Sequence, residues 1–427
     1  MKEKTDFIGK KIVFQTLGCK LNFAESSSLG KKLLSEGFVR CKNGEQADVV
    51  IINTCSVTDT ADKKGRQLIH RMIKKYPNAF IVVTGCFAQL KPKDIAEIEG
   101  VDMVLGANEK IVLEEFISSV EKKNRAVCHV VKTSEIRNFT PECSADDRTR
   151  HFLKVQDGCN YYCTYCTIPF ARGRSRSASV AETVAVAEEA IANGAKEIVL
   201  TGVNTGDFGF GTQESFFDLI KALDNIDAQI RYRISSIEPN LLTDDIIRFV
   251  SNSDKFAHHF HIPLQSGSDE LLKLMRRKYD TSLFRYKIEL IKSLMPHAFI
   301  GVDVMVGVRG ETPELFNESK NFISSLDVSQ LHVFTYSERA GTKALEIPYI
   351  VPIILFLSIV IVIAVNFYMS IIKPEKYIAN YNNDDCYIVT VIVGSGRSRT
   401  HYNGSIKKDD YDKWIDGDGG VSKTSYN

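Results

Sequence analysis

The sequence predicts an α/β protein with an N-terminal parallel sheet, a partial (β/α)6 barrel, one transmembrane helix and an unassigned tail. Short runs rich in Val, Ile and Phe alternate with helical patterns over residues 11–130, and the alternation resumes at residue 152. These runs are almost continuously apolar, which is typical of parallel strands covered by helices on both faces. The stretch at 350–372 is apolar and long enough to span a bilayer as a helix.

Three strands and two helices are predicted in the first part of the chain, with strands at 11–16, 48–53 and 79–84 and helices at about 22–36 and 58–75. One cysteine follows each strand: Cys19, Cys55 and Cys86. Because parallel strands end at a common edge of the sheet, we expect these thiols to lie close together. Three thiolates facing one crevice suit an Fe–S cluster or zinc, and three unrelated buried cysteines are the alternative.

The second part of the chain begins with a strand at 152–155, followed by a capping box in which Ser179 and Glu182 open a helix over 180–193. Five later strands are predicted at 196–201, 231–235, 258–262, 300–305 and 330–334. Six parallel strands with intervening helices indicate an incomplete barrel, whose active site should lie at the carboxyl ends of the strands.

The loop after the first barrel strand contains Cys159, Cys163 and Cys166 in CxxxCxxC spacing. Three thiolates can hold three irons of a [4Fe–4S] cube and leave the fourth iron open to another ligand. Zinc is the alternative, but it usually takes a fourth protein ligand, and no His or Cys closely follows Cys166. The spacing therefore favours the Fe–S cluster.

Seven further motifs run in order along the chain: TLGCKLN at 16–22, NTCSVT at 53–58, TGC at 84–86, VQDGC at 155–159, IPFARG at 168–173, PLQSG at 263–267 and YSERAGT at 336–342. Together with the cysteine loop they resemble the radical S-adenosylmethionine (SAM) methylthiotransferase family over about residues 11–349. GCKLN and NTCSVT are most similar to the branch that modifies N6-threonylcarbamoyladenosine (t6A) in tRNA. The resemblance implies a methylthiotransferase domain at 8–130 and a radical SAM domain at 145–349.

The resemblance implies an enzyme that replaces the hydrogen at C2 of t6A, next to the anticodon, with a methylthio group. Its cofactors would be SAM and two [4Fe–4S] clusters, and its partners a reducing electron donor and a sulfur donor. Cys159, Cys163 and Cys166 would hold the SAM cluster. Cys19, Cys55 and Cys86 would hold the cluster that carries the inserted sulfur.

Three further residues are predicted to contact SAM. Glu238 and Gln265 lie at strand ends and offer polar contacts. Tyr165, inside the cysteine loop, is placed to pack on the SAM adenine, with simple packing of the loop as the alternative.

Two basic patches are predicted to bind the anticodon stem-loop of tRNA. On the helix at 62–75, an apolar stripe leaves the remaining face basic. That face carries Lys63, Lys64, Arg66, Arg71, Lys74 and Lys75, and an ordinary solvated face is the alternative. The second patch, Arg172, Arg174 and Arg176, follows the cysteine loop and is expected to contact phosphates.

The chain has a net charge of only +1, ten cysteines and no secretory signal. Its overall charge therefore gives no argument for nucleic acid, and the cysteines indicate metal ligands rather than disulfides. We expect cytoplasmic catalytic domains, anchored to the inner membrane through 350–372. The tail at 373–427 contains one candidate strand at 386–393, and the family's usual C-terminal RNA-binding β-barrel is expected to be absent, through a fusion or a chimeric gene.

Other functions stay open at this point. The same chemistry could act on isopentenyladenosine in tRNA or on ribosomal protein S12. A membrane-tethered Fe–S electron carrier and an inactive chimeric product are the alternatives of a different class. The open iron argues against the carrier, because electron transfer gains nothing from a vacant coordination position.

Overall fold

The computed structural model describes residues 7–112, 120–144, 150–347, 376–382, 386–393 and 400–407. The chain divides into two compact units, 1–351 and 352–427. The first unit contains the parallel sheets and all of the predicted site residues.

The N-terminal half of the first unit alternates strands and helices in the order β1 (Lys11–Thr16), α1 (Lys20–Ser35), β2 (Val39–Arg40), β3 (Val49–Thr54), α2 (Asp59–Lys75), β4 (Phe80–Gly85), α3 (Cys86–Leu90), α4 (Pro92–Ala96), β5 (Met103–Leu105) and β6 (Val127–His129). The six strands form one sheet in the order β2-β1-β3-β4-β5-β6, and every neighbouring pair is parallel. The three predicted strands are present within one residue of their expected bounds.

Apolar side chains on both faces of this sheet form its core. All residues of β3 and β4 are buried, and alternate residues point to opposite faces. One face packs against Leu68, Ile69 and Met72 of α2, which is the predicted stripe of that helix. The central strands are thereby fixed, and so are the loops at their carboxyl ends.

The second half of the first unit contains β7 (Glu142–Cys143), β8 (His151–Lys154), α5 (Ile168–Arg172), α6 (Val180–Ala192), β9 (Glu197–Thr201), α7 (Phe216–Asp224), β10 (Arg231–Ile234), α8 (Asp244–Asn252), β11 (His259–Gln265), α9 (Asp269–Leu274), α10 (Thr281–Leu294), β12 (Phe299–Val306), α11 (Pro313–Ser324) and β13 (Gln330–Thr335). The capping box of Ser179 and Glu182 at the start of α6 is confirmed.

Strands β8 to β13 run parallel in two hydrogen-bonded groups, β10-β9-β8 and β11-β12-β13, with β7 antiparallel at the edge of the first. A parallel bridge between Ser236 and His261 connects the groups, so the six strands curve into the predicted partial barrel. Strand β11 continues three residues beyond its predicted end. The pairing register of β11 with β12 shifts between Pro263 and Gln265. Proline has no backbone N–H to donate to a neighbouring strand, and such an irregularity accommodates it.

The second unit contains, in its described part, one antiparallel sheet of β14 (Lys376–Asn382), β15 (Cys386–Val393) and β16 (Thr400–Lys407). The predicted strand at 386–393 is therefore confirmed. The predicted transmembrane helix at 350–372 lies outside the described residues. None of the described helices combines the length and the apolarity that crossing a membrane requires.

Candidate active site

The first cysteine trio lies at one edge of the N-terminal sheet. Cys19 precedes α1, Cys55 follows β3, and Cys86 is the first residue of α3 after β4. Strands β1, β3 and β4 are neighbours, and the three thiols interact electrostatically with one another. Gly18 has a φ of +110°, and a Cβ on it would stand 2.8 Å from the Cβ of Cys55. The close approach of these two loops therefore needs a glycine.

Burial disfavours ionised sulfur at two cysteines of this trio, and one nearby cation opposes that effect. Burial raises the pKa of Cys55 to about 11 and also raises that of Cys86, while the Arg172 guanidinium lowers both. Buried thiols lose their protons when a bound metal centre supplies compensating positive charge. Three thiols at one crevice therefore fit an Fe–S cluster. Cys19 is exposed, which leaves one side of this site accessible.

A buried network of ion pairs and hydrogen bonds contacts the loop of Cys19. The Arg172 guanidinium lies 2.9 Å from the Asp157 carboxylate and 3.0 Å from the Glu25 carboxylate, and it donates to the Asn22 side-chain oxygen at 2.6 Å. The Asn22 amide group donates in turn to the carbonyl oxygen of Leu17, in the loop of Cys19. The Lys110 ammonium pairs with Glu25 at 2.5 Å. This network links the two halves of the first unit.

The second cysteine trio lies in the loop that follows β8. The backbone N–H groups of Tyr161 and Ile168 each donate to a sulfur, of Cys159 and Cys166 respectively, at 3.4 Å. Burial raises the pKa of Cys159 to about 12 and that of Cys166 to about 12. As at the first trio, a set of three neighbouring thiols, here half-buried or buried, fits a metal centre that displaces their protons.

Arg277 connects this trio with two of the residues predicted to bind SAM. Its guanidinium donates to the Cys163 sulfur at 3.1 Å and to the Tyr165 hydroxyl at 3.4 Å, and it forms an ion pair with Glu238. The same side chain donates to the Tyr279 hydroxyl at 3.0 Å. Sequence reasoning missed Arg277, because nothing in the sequence around it distinguishes it from the neighbouring Arg276 and Lys278.

The three residues predicted to contact SAM lie at the expected edge of the barrel. Burial raises the pKa of Glu238, although Arg277 opposes this effect. Gln265 ends β11 in the left-handed region, with a φ of 69°. The ring of Tyr165 packs against a core cluster that contains Leu271 and Met275, so loop packing accounts for at least part of its role.

Polar side chains of three barrel strands lie near Lys20, the residue after Cys19, and the region that they share with it is termed the polar space. His261, Asp303 and His332 occupy adjacent strands, and the His261 ring nitrogen is 2.8 Å from the Asp303 carboxylate. Lys20, exposed and next to Cys19, interacts electrostatically with Asp303 and with Arg233 of β10. All three barrel groups are half-buried, so solvent reaches this space.

The basic face predicted on α2 is largely exposed. Lys63, Lys64, Arg71, Lys74 and Lys75 are exposed, whereas Arg66 is half-buried and paired with Asp94 at 2.9 Å. Asp62, on the same helix, is buried and bound to Arg339 at 2.9 Å. It therefore does not neutralise the exposed cations.

The patch predicted at 172–176 requires a correction. Arg172 is only 2% exposed and is enclosed by Glu25, Asp157 and Asn22, so its guanidinium cannot reach an RNA phosphate. Arg176 is paired with Asp157 at 3.1 Å and is largely buried. Of the three arginines only Arg174 is exposed.

Comparison with known protein families gives two matches. Residues 11–106 match an uncharacterized protein family, UPF0004, and residues 153–323 match the radical SAM superfamily. The fold is also similar to the radical SAM methyltransferase TsrM from Kitasatospora setae in its complex with cobalamin and a [4Fe–4S] cluster, with a TM-score of 0.58, 12% identity and coverage of 88% of this chain and 78% of that one.

Three curated relatives are similar over most of the chain. Threonylcarbamoyladenosine tRNA methylthiotransferase MtaB of Bacillus subtilis is 41% identical, covering 78% of this chain and 75% of the relative. The enzyme of the same name from Aquifex aeolicus is 36% identical, covering 78% and 82%. A tRNA-2-methylthio-N(6)-dimethylallyladenosine synthase of Clostridium botulinum is 35% identical, covering 79% and 77%.

The names of the relatives describe the same class of enzyme that the two cysteine trios predict. Both names describe tRNA methylthiotransferases, and the family matches cover both cysteine-bearing halves. Enzymes of this kind use SAM and [4Fe–4S] clusters, as the sequence predicts for this chain. The chain belongs to the radical SAM methylthiotransferase family and is a tRNA-modifying enzyme of that family.

Proposed function

We propose that this enzyme methylthiolates C2 of t6A in tRNA, next to the anticodon. The relatives support the reaction but include enzymes named for two substituents on the adenosine, threonylcarbamoyl and dimethylallyl. The observation that carries the choice between them is the polar space beside Cys19. A threonylcarbamoyl group is an anion with a carboxylate, a hydroxyl and a urea, whereas a dimethylallyl group is apolar.

Lys20 is the central residue of this argument. Its exposed ammonium interacts electrostatically with the cations Arg150 and Arg233 and, more weakly, with Asp303, and within the described residues no salt bridge joins it to a carboxylate. A cation beside the sulfur-carrying trio that has two cationic neighbours and, within the described residues, no direct salt bridge suits the t6A carboxylate. The Asp303 and His261 pair offers groups that can hydrogen-bond the urea or the hydroxyl.

A dimethylallyl group fits this space less well. It would leave Lys20 and the barrel groups without partners after displacing their water, which costs free energy for each unpaired polar group. The relatives' names likewise support tRNA rather than ribosomal protein S12 as the substrate.

We assign the cofactors to residues as follows. Cys159, Cys163 and Cys166 hold the SAM cluster, and Cys19, Cys55 and Cys86 hold the second [4Fe–4S] cluster. When bound, SAM and the clusters supply the radical and the sulfur, because acid–base groups cannot easily remove an aromatic C–H hydrogen. Arg277 holds Glu238 and Tyr165 in place at the SAM cluster, and Gln265 lies on the same edge of the barrel.

RNA contacts are proposed for the exposed cations of α2, namely Lys63, Lys64, Arg71, Lys74 and Lys75, and for Arg174. Turnover also requires a reducing electron donor and a sulfur donor. The domain limits 8–130 and 145–349 remain our proposal for the two catalytic parts, which work in the cytoplasm and are tethered through 350–372.

The test is anaerobic turnover of the full chain, with both clusters reconstituted, on two anticodon stem-loop RNAs that differ only in carrying t6A or isopentenyladenosine. Nucleoside mass spectrometry should detect the 2-methylthio product on the t6A RNA, formed at least about 100-fold faster than on the other RNA. Equal rates, or faster reaction of isopentenyladenosine, would overturn the assignment of the substrate.

A further inference from the structure

An open groove of about 730 Å3 lies beside the loop of the second cysteine trio. Two aromatic rings stand in its wall, Tyr162 at 41% exposure and Phe170 at 45%. Their centroids are 6.0 Å apart and their planes meet at 76°. Exposed rings of this size beside a concave surface offer flat apolar faces to a ligand.

The polar residues of the groove give it a positive charge. None of the described residues that line it is acidic. Arg176 lines the groove but is paired with Asp157, so the unpaired guanidinium groups are those of two other arginines, Arg137 and Arg174. Neither arginine pairs with a carboxylate within the described ranges, and Arg137 donates only to the carbonyl oxygens of Ser134 and Ile136. Two cations and two exposed rings in one concave surface are the combination that binds single-stranded nucleic acid.

The groove is firmly attached to the cluster loop. Tyr162 directly precedes Cys163, and the backbone N–H of Cys159 donates to the carbonyl oxygen of Gly173 at 3.0 Å. Thr133, which also lines the groove, is joined to Phe170, because its hydroxyl donates to the carbonyl oxygen of Phe170 at 2.6 Å. A base that stacks in this groove therefore lies a fixed, short distance from the cysteines.

We propose that this groove binds unpaired nucleotides that flank the target adenosine, with their bases stacked on Phe170 and Tyr162 and their phosphates at Arg137 and Arg174. The inference rests on the proposed function in taking an RNA loop as the substrate. Binding in this groove would explain how the enzyme selects one adenosine. The groove holds the neighbouring bases away from their stacked arrangement in the RNA loop while the target base enters the barrel.

The first test measures affinity of the full, cluster-loaded chain for the t6A stem-loop by fluorescence anisotropy. Phe170→Ala should weaken binding by about 5- to 100-fold, and Phe170→Tyr should restore it, because stacking needs only an aromatic face. Tyr162→Asn tests the second ring, since asparagine tolerates the left-handed backbone at this position (φ 50°). The matched control is Tyr286→Ala on α10, where the ring is also 45% exposed.

The second test needs no variant and so does not depend on a variant's folding. Replacing each nucleotide next to the t6A in turn by 5-iodouridine and irradiating the complex should crosslink at least one of them to Phe170 or Tyr162. Crosslinks that map only elsewhere on the chain, or unchanged affinity of Phe170→Ala, would overturn the proposal.

Failure of this inference is distinguishable from failure of the proposed function. Binding and crosslinking in the groove without a methylthio product would refute the function and leave the groove in place. Product formation with affinity that does not depend on the two rings would refute the groove alone. Iron content of each variant verifies that both clusters are loaded.

Discussion

Arg172 and Arg277 place one guanidinium beside each cysteine trio. Arg172 is buried against two carboxylates, and the side chain of Arg277, 3% exposed, pairs with one, that of Glu238. Hydrogen bonds and positive charge near cluster sulfurs raise the reduction potential of a cluster and favour the thiolate form of its ligands. Both arginines lie far in sequence from the acidic residues that hold them. Their role is visible only once the chain is folded.

Replacing Arg277 by methionine should impair the SAM cluster specifically. The change removes the donor to the Cys163 sulfur and leaves the buried Glu238 without its partner. We expect reductive SAM cleavage, measured as 5′-deoxyadenosine, to fall about 10- to 100-fold, with a lower potential of the cluster. Lys278→Met, an exposed neighbour, is the control. Unchanged cleavage and potential would contradict this role.

Replacing Lys20 by methionine tests the recognition of the t6A carboxylate. The variant should lose about 10- to 100-fold in kcat/KM on t6A RNA, since a charged hydrogen-bond partner is removed. It should lose little on an RNA whose threonylcarbamoyl carboxylate is converted to the amide. Lys32→Met, on the same helix, removes the same charge elsewhere and serves as the control. An equal loss on both RNAs would show that Lys20 does not face the carboxylate.

At the residue scale, the sequence predicts which cysteines come together better than it predicts which charged residues surround them. The cysteines of the first trio each follow a strand of one parallel sheet, so the topology predicts their convergence, and those of the second trio share one loop. The sequence predicts a phosphate contact for Arg172 because, like Arg174 and Arg176, it follows the cysteine loop. Its burial depends on Glu25, on another helix, and no local pattern reports such a distant partner. Tyr162 and Phe170 escaped notice because aromatic residues near a motif are usually core.

Among the elements, α2 is where helical periodicity was most informative. Its apolar stripe is buried against the sheet, and its basic face is exposed. The short strands β2, β5 and β6 were not predicted, because two or three residues carry no recognisable alternation.

Reversing Lys64, Arg71 and Lys75 of α2 to glutamate should weaken tRNA binding and reduce its dependence on salt. Each lost phosphate contact removes about 0.7 to 0.9 from the slope of log K against log salt concentration. Binding isotherms at several salt concentrations measure both effects. Reversal of Lys196, Lys221 and Arg231 on the barrel is the control. Equal affinity and an equal slope in the α2 variant would mean that this face is merely solvated.

The buried network around Arg172 joins α1, β8 and α5, and its stability should depend on pH. Burial raises the pKa of Glu25 and Asp157, but Arg172 and other nearby cations outweigh this effect and hold both pKa values below their ordinary range. A carboxyl whose pKa is lower in the folded state stabilises the fold above its unfolded pKa of about 4 and loses this contribution as pH falls further.

Arg172→Met should therefore destabilise the fold by about 3 to 5 kcal/mol at pH 7, because it leaves buried carboxylates short of partners. The difference between variant and wild type should shrink as the pH falls below about 4. Urea unfolding of the full chain across this range measures it, with Arg174→Met as the exposed control. A destabilisation independent of pH would point to lost packing instead.

For the whole molecule, the two halves of the first unit form one enzyme through buried ionic contacts. Besides the Arg172 network, Arg339 follows β13 and binds Ser56 and Asp62 at 2.7 and 2.9 Å. Ser56 directly follows the cysteine of β3. The order of the motifs and the length of the chain predicted two catalytic parts, but not these contacts, because pairing across some 280 residues has no local signature.

The stretch at 350–372 supports one prediction for the entire chain. Its apolar length predicts that the expressed full-length protein sediments with membranes and stays there in alkaline carbonate, yet dissolves in detergent. Release by carbonate, or sedimentation that detergent does not reverse, would contradict a membrane span.

The Arg172 network also bears on how this enzyme can be re-engineered or diversify by recombination. Exchanging the N-terminal half of the first unit, including α1, with that of a relative would replace Glu25 and Asn22 by the relative's residues, while Arg172 and Asp157 stay with the host barrel. A mismatch of one charge at this junction is buried and cannot be relieved by solvent. We therefore expect functional hybrids to carry α1 and the 168–172 helix from the same parent.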